Sequence, residues 1–166
     1  NIPIEEKAAA RKRLGLPDCL TILSAGGSQG ASRLNEAVVQ LLAYEQKKGN
    51  INHIHGYGKH GRDTFMQSLK DNGVDAGNPH FIIKEYIDNM YTCMCASDLI
   101  ITRAGAMTLT EITAIGRASV LIPYPYAAEN HQYYNALTLQ NANAGRIIDD
   151  KELTGSVLID TVNRLA

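Results

Sequence analysis

The chain has 166 residues, of which 45% are hydrophobic and 20% are charged, so it can build a buried core and does not have a disordered composition. Its length fits a single domain, and a net charge of -1 gives no electrostatic argument for nucleic acid binding. No apolar run approaches the ~20 residues of a membrane-spanning helix, and no secretory signal peptide is expected. Because the sequence starts at Asn1 rather than Met, we expect it to be part of a longer protein.

Predicted helices and strands alternate along the whole chain. The predicted helices cover residues 4–14, 31–48, 62–72, 87–96, 107–115, 131–141 and 153–165. The predicted strands cover residues 20–24, 51–55, 80–84, 98–102, 118–122 and 145–148. This alternation is typical of an α/β protein and predicts a Rossmann-like, doubly wound parallel sheet of about six strands. In such sheets ligands bind beyond the carboxyl ends of the strands, so the loops that follow strands should carry the function.

The first of these loops is the glycine-rich stretch Gly26-Gly27-Ser28-Gln29-Gly30. It is neither a G-x-G-x-x-G fingerprint nor a Walker loop, which would end in Lys. Glycines there let the backbone approach a phosphate, to which Ser28 could offer its hydroxyl. Equally, the stretch could be a tight turn in which Ser28 caps the following helix.

The central unit, residues 97–126, is predicted to form a strand, a turn, a helix and a second strand. The turn at 103–106 points the backbone N–H groups of the helix start at the strand tip, where they could bind a phosphate. One turn further along, Glu111 could accept the hydroxyls of a ribose. The alternative is a capping box, in which Thr108 and Glu111 satisfy the helix start. For Arg103 we favour an ion pair with a nearby acid over a phosphate contact.

A proline-rich loop at 123–130 enters the sixth predicted helix and carries several groups that could hydrogen-bond to sugar hydroxyls. These groups are Asn130, His131, Gln132 and Asn135. Capping of the helix by Asn130 is the alternative.

No metal or cofactor site is predicted. Cys93 and Cys95 do not have the C-x-x-C spacing of a redox or zinc pair, and with Cys19 they are interpreted as reduced thiols. The histidines in or near strands show no metal-ligand spacing and are interpreted as structural: His53, His55, His60 and His80.

Taken together, three stretches resemble the MurG family of UDP-N-acetylglucosamine transferases, which make lipid II. They are Gly26-Gly-Ser-Gln-Gly30-Ala31 with Leu34-Asn35; Arg103-Ala-Gly-Ala-Met-Thr-Leu-Thr-Glu111-Ile112; and Pro123 to Ala127 followed by His131-Gln132 and Asn135-Ala136. The resemblance covers essentially the whole chain. It implies that residues 1–166 are one nucleotide-sugar-binding domain, the carboxyl-terminal half of a two-domain GT-B glycosyltransferase.

The resemblance also implies a role for each matched position. Ile87 would hold uracil through its backbone N–H and C=O, and Glu111 would accept the ribose hydroxyls. Ser28 would bind the diphosphate together with the N–H groups of Met107 and Thr108. The sugar hydroxyls would be read by the Ala106 backbone, His131 and Gln132.

The sequence departs from the family at two places. Many members have Gln where His131 stands, and the family's Asn-Pro-(Val/Ile)-Arg linker is Ile2-Pro3-Ile4-Glu5 here, without the phosphate-binding Arg.

By resemblance, the reaction is inverting transfer of N-acetylglucosamine from UDP-N-acetylglucosamine to lipid I. No catalytic residue is predicted in this chain; the general base, the lipid I site and the membrane contact would belong to an amino-terminal half. The enzyme would work at the cytoplasmic face of the plasma membrane. Two alternatives are a stand-alone binding subunit of a two-chain lipid-linked transferase and half of a UDP-N-acetylglucosamine 2-epimerase. An epimerase needs acid/base carboxylates near the sugar, and only Glu129 is suitably placed.

Overall fold

The computed structural model describes residues 6–26, 32–59, 61–103, 106–123, 136–138, 140–141 and 145–165, and for residues 106–108 it describes the backbone only. The strands are β1 (Leu20–Ala25), β2 (Ile51–Gly56), β3 (Phe81–Lys84), β4 (Leu99–Thr102), β5 (Ala118–Leu121) and β6 (Gly145–Ile147). The helices are α1 (Lys7–Arg13), α2 (Ser32–Lys48), α3 (Arg62–Asp71), α4 (Met90–Ala96), α5 (Ala106–Ile115) and α6 (Gly155–Leu165). Residues 136–138 and 140–141 are also helical, and Asp150–Glu152 form a 3₁₀ turn.

The strands form one six-stranded sheet in the order β3-β2-β1-β4-β5-β6, and every pairing is parallel. This confirms the predicted doubly wound α/β fold. Most residues of the central strands are buried because parallel sheets are covered by helices on both faces. In the register, Ala25 at the end of β1 lies between Gly56 of β2 and Thr102 of β4.

Two hydrophobic clusters cover the two faces of the sheet. One joins α2, α3 and α6 to outward-facing residues of the central strands such as Ile22, Ile101 and Val120. The other joins α1, α4 and α5 to residues of the opposite face such as Leu23, Ile100 and Leu121. The alternation of neighbouring residues between the clusters follows from the two-residue period of a strand.

Several element ends differ from the prediction. Helix α4 begins at Met90 rather than at residue 87, so Ile87 lies in a loop. The last helix begins at Gly155, after the 3₁₀ turn, because the Thr154 hydroxyl accepts a hydrogen bond from the Val157 N–H at 3.2 Å and caps it. Helix α5 begins at Ala106, one residue earlier than predicted.

Helix α1 is held to the sheet by Asp98, just before β4. Its carboxylate accepts hydrogen bonds from Lys7 Nζ at 2.7 Å, Arg11 Nη2 at 2.5 Å and the Thr21 N–H at 3.0 Å. Burial alone raises the pKa of Asp98, but these donors and the positive charges outweigh it and leave the pKa below its ordinary value. The ion pairs therefore stabilise the packing of α1 against β1 and β4.

Candidate functional site

The site follows from the order of the strands. The chain builds the sheet outward from β1 toward β3, and then outward in the other direction from β4. Because helices connected to the two halves leave the sheet on opposite faces, a crevice opens between the ends of β1 and β4. The glycine-rich loop follows β1, and the turn into α5 follows β4. The predicted ligand loops therefore meet at one edge of the sheet.

A cavity of about 390 Å³ lies at this edge, beside the crevice. Its lining comes from the ends of three neighbouring strands and the loops after them: Ala25, Gly56, Gly58, Lys59, Glu85, Tyr86, Ile87 and Met90. Most of the wall is apolar, while Lys59 and Glu85 supply charges. Concave, largely apolar sites with a few polar groups are typical of ligand pockets, and the flat face of a base suits such a wall.

Ile87 is one of the residues that line this cavity, and its side chain is buried. Its N–H makes no hydrogen bond to another described residue, and its C=O, which starts the turn at residues 88–89, keeps a second lone pair for a ligand. Such a peptide offers one donor and one acceptor side by side. The N3–H and O4 groups of uracil are the complementary pair, which fits the role that the resemblance implies for Ile87.

Gly56 makes room for Ile87. A Cβ atom at position 56 would lie 3.2 Å from Ile87 Cδ1 and 3.3 Å from Ile87 Cγ1, so a side chain there would force the Ile87 side chain to shift. The packing of the Ile87 side chain therefore depends on a glycine at the end of β2.

The start of α5 follows β4, which lies two strands from β2, the middle one of the strands beside the cavity, or about 10 Å at a strand spacing of ~4.8 Å. Because α5 begins at Ala106, the N–H groups of Ala106, Met107 and Thr108 belong to its first turn and have no partner within the helix. Thr108 lies inside the helix and is not its N-cap, so Thr108 and Glu111 do not form the capping box that was the alternative. The Glu111 side chain is exposed, and its carboxylate makes no hydrogen bond or ion pair with another described residue. Its binding role stays a prediction.

Arg103 forms the ion pair that the sequence favoured. Its side chain is buried, and its Nη1 lies 2.6 Å from Asp150 Oδ1. The acid belongs to the 3₁₀ turn after β6. Arg33 approaches the same carboxylate from α2, with Nε 3.6 Å from Asp150 Oδ2, and it donates to the Asp150 and Lys151 carbonyls. These contacts fasten the segment after β6 to the crevice.

Other predicted site residues lie outside the described part of the chain: Ser28 with the rest of the glycine-rich loop from residue 27, Glu129, Asn130, His131, Gln132 and Asn135. Their roles stay predictions.

His53 and His55 are buried and hydrogen-bonded, and His80, just before β3, is half-buried and hydrogen-bonded to Asn52. This agrees with their structural interpretation; His60 lies outside the described residues. Sequence reasoning missed what two of them do. His53 and His55 meet Ser24 on β1 in a polar chain that the sequence signals only as polar residues inside apolar strands. No group of His, Cys, Asp and Glu within the described ranges is arranged to hold a metal ion.

The three cysteines have no disulfide partner. Burial raises the pKa of the Cys93 thiol to about 11 and raises that of Cys19, so both are protonated at neutral pH. In the part of the chain that the structure describes, no helix has the length and apolar character needed to cross a bilayer.

Comparison with known proteins places these features in a family. Residues 21–166 match the Glycosyltransferase family 28 C-terminal domain. A protein of Desulforamulus reducens, described as UDP-N-acetylglucosamine–N-acetylmuramyl-(pentapeptide) pyrophosphoryl-undecaprenol N-acetylglucosamine transferase, is 44% identical over 146 residues, which are 87% of this chain and 39% of that protein. A crystal structure of Acinetobacter baumannii MurG is 30% identical, covers 98% of this chain and 45% of its own, and has a TM-score of 0.75. These matches confirm the resemblance to the MurG family.

A solution structure of ALG13 shows the same fold at 12% identity, with a TM-score of 0.60, and covers 89% of this chain and 88% of its own. By contrast, the chain spans about two fifths of the length of the curated relatives that it matches.

Proposed function

Because this chain belongs to the glycosyltransferase family 28 C-terminal domain family, we propose that it is the donor-binding half of a two-domain GT-B transferase. The donor is UDP-N-acetylglucosamine. The complete protein transfers N-acetylglucosamine to lipid I and makes lipid II for peptidoglycan synthesis. The observation that carries the proposal is the Ile87 N–H, which makes no hydrogen bond to another described residue, at a cavity that the ends of β1 and β2 and the loop after β3 line beside the crevice.

In this proposal the nucleotide lies across the carboxyl ends of β3, β2, β1 and β4. The Ile87 N–H and C=O bind uracil, and Glu111 accepts hydrogen bonds from the ribose hydroxyls. The diphosphate sits at the start of α5, where it is bound by the N–H groups of Met107 and Thr108 and by the Ser28 hydroxyl. The Ala106 backbone, His131 and Gln132 then face the sugar.

The chemistry is a single in-line displacement. The C4 hydroxyl of the N-acetylmuramoyl unit attacks the anomeric carbon, the bond to the diphosphate oxygen breaks, and UDP leaves with the configuration inverted. Charge grows on the diphosphate as that bond breaks. Amides already oriented at the start of α5 stabilise this charge without having to reorganise.

The remaining parts belong to the amino-terminal half. That half supplies the general base that takes the acceptor proton, the lipid I site and the contact with the inner face of the plasma membrane, and the enzyme is cytoplasmic. Nucleic acid is not a partner. The 166-residue chain alone is expected to bind donor but to transfer little or no sugar, and robust transfer to a lipid I analogue would contradict this.

Calorimetric titration of the chain with UDP-N-acetylglucosamine tests the binding mode. Glu111→Ala is expected to weaken binding about tenfold, since a hydrogen bond to a charged group contributes about 1.5–3 kcal/mol and part of it is regained by water. Asp71→Ala, which removes one exposed carboxylate at the end of α3, is the matched control and should leave the affinity unchanged. Equal affinity for Glu111→Ala and the wild type would show that Glu111 does not touch the ribose.

The two-chain alternative predicts a gene that encodes only this half. A reading frame that continues upstream into an acceptor-binding half would exclude it. Product analysis with UDP-N-acetylglucosamine alone separates the transferase from the epimerase, since only an epimerase changes this nucleotide sugar without an acceptor.

A further inference from the structure

A chain of polar side chains runs between α2 and the strands β1 and β2, on the face of the sheet opposite to the cluster that contains Ile87. It joins Glu45, His53, Ser24, His55 and Asn35, in that order. Four of them are at most 1% exposed and Asn35 is 8% exposed. Buried polar groups are costly unless each finds a partner, so an extended chain in a core of this size needs an explanation.

Every hydrogen bond in one half of this chain has a fixed direction. The Asn35 amide donates from Nδ2 to the Tyr57 carbonyl at 2.9 Å, so its Oδ1 accepts from His55 Nε2 at 2.8 Å. His55 is neutral, because burial lowers its pKa to about 3. His55 Nδ1 therefore carries no hydrogen and accepts a hydrogen bond from the Ser24 hydroxyl at 2.7 Å.

The other half follows from the single proton of Ser24. Because the Ser24 hydroxyl already donates its one hydrogen to His55, its oxygen must accept the hydrogen bond that joins it to His53 Nε2 at 2.6 Å. His53 Nδ1 lies 2.5 Å from Glu45 Oε1, and one proton is shared between them. Desolvation raises the pKa of Glu45, which favours the protonated acid. The chain is thus neutral as a whole and ordered in one direction.

This arrangement of serine, histidine and glutamate is not a hydrolytic site. Ser24 and His53 have no exposed surface, so no substrate can reach them. The Ser24 hydroxyl proton also faces His55 rather than His53, so the imidazole of His53 cannot act on it as a general base.

The last member of these polar side chains contacts the loop after β2. Asn35 Nδ2 donates to the Tyr57 carbonyl, one residue past the end of β2. The Tyr57 N–H donates to the Lys84 carbonyl at 2.9 Å, and the Gly58 N–H donates to the Glu85 carbonyl at 3.0 Å. Gly58 and Glu85 both line the cavity, and Glu85 is two residues from Ile87.

We propose that Asn35 is a positioning residue for nucleotide binding: it fixes the Tyr57–Gly58 peptide and thereby the loop that holds Ile87 at the cavity. The polar chain behind it keeps the Asn35 amide in the one orientation in which Nδ2 faces Tyr57. This inference rests on the proposed binding of a uridine nucleotide in that cavity.

The test compares Asn35→Asp with Gln46→Ala in titrations of the 166-residue chain with UMP, UDP and UDP-N-acetylglucosamine. Asn35→Asp keeps an acceptor for His55 and loses the donor to Tyr57. Gln46 is the matched control on the same helix, since its Nε2 donates to the Gly73 carbonyl at 2.9 Å, at the opposite edge of the sheet. Asn35→Asp is expected to weaken all three ligands by one common factor of about tenfold, the worth of a hydrogen bond to a buried carbonyl. Gln46→Ala should leave all three affinities unchanged.

Each outcome decides between the proposals. If the wild type binds and Asn35→Asp binds equally well, or if Gln46→Ala weakens binding as much, Asn35 does not position the site. If the wild type binds none of the three nucleotides, the proposed function fails and this inference fails with it.

If Asn35→Asp does not fold, amide hydrogen exchange in the wild type replaces it. Slow exchange of the Tyr57 and Gly58 amides before any nucleotide is added supports positioning from within the fold. Fast exchange that slows only when UMP binds would show that the ligand orders this loop, and would overturn the inference.

Discussion

The two halves of the sheet hold their part of the crevice in different ways. On the side of β2 and β3, a neutral chain of hydrogen bonds ends at the cavity loop. On the side of β4 to β6, a buried ion pair between Arg103 and Asp150 fastens the segment after β6 to the end of β4. A neutral base and a charged diphosphate are bound in different ways. The base is bound by a complementary apolar wall and by one backbone N–H and C=O, whereas the diphosphate is bound by the N–H groups at the start of a helix. Breaking each support should therefore affect different parts of the ligand.

The largest effect is expected from the ion pair. Asp150→Asn removes the carboxylate that pairs with the buried Arg103 guanidinium, and we expect the free energy of unfolding to fall by about 3 kcal/mol, because removing one partner of a buried ion pair is costly. Urea unfolding of both proteins measures this. Arg33→Ala is the matched control on the other side of Asp150; Arg33 is half exposed, so its loss should cost less than about 1 kcal/mol. Equal losses for the two variants would mean that burial does not distinguish the two contacts.

The next prediction tests the packing of Gly56 against Ile87 at the cavity that we assign to the base. Gly56→Val places methyl groups against Ile87, and overpacking of this kind costs about 1–3 kcal/mol. We expect the affinity for UMP and UDP to fall by about 10- to 100-fold, measured by calorimetry well below the unfolding temperature. Gly77→Val, at an exposed position before β3, provides the control. Unchanged UMP affinity in Gly56→Val would show that Ile87 does not contact the base.

The smallest effect, counted per unit of pH, comes from the titration of His55. The pKa of His55 is lowered from 6.5 to about 3 by burial, and secondarily by His53. Between these values the unfolded chain binds a proton that the folded protein does not, so this residue makes stability fall as pH falls, by up to about 1.4 kcal/mol per pH unit. His55→Gln should lose this slope below pH 6.5, although it is less stable than the wild type at neutral pH. Urea unfolding at a series of pH values measures it.

Glu45 changes the pH dependence of stability in the opposite direction to His55. Its raised pKa means that it contributes stability below its unfolded value of 4.5, which is lost as the pH rises through the folded value. Glu45→Gln, which keeps a donor for His53, should therefore make the remaining loss of stability on acidification steeper. The same direction of change in both variants would contradict the proton order assigned to the chain.

The residues already determined much of the site before any contact was known. Short apolar runs that alternate with amphipathic helices can only be satisfied by a parallel sheet covered on both faces, so the fold and the edge that carries the ligand loops were predictable. The ion pair of Arg103 was also predictable in kind, because an arginine at the end of a buried strand needs an acid.

The tertiary structure alone decided which acid Arg103 meets and where the base cavity lies. Asp150 is 47 positions away in sequence from Arg103, and Gly56 meets Ile87 only because β2 and β3 are neighbours. The hydrogen-bonded side chains between α2 and the sheet could not be predicted for the same reason. His53 and His55 are ordinary polar residues in a strand until the register of β1 places Ser24 between them, and hydrogen bonds depend on distances that local sequence patterns do not contain.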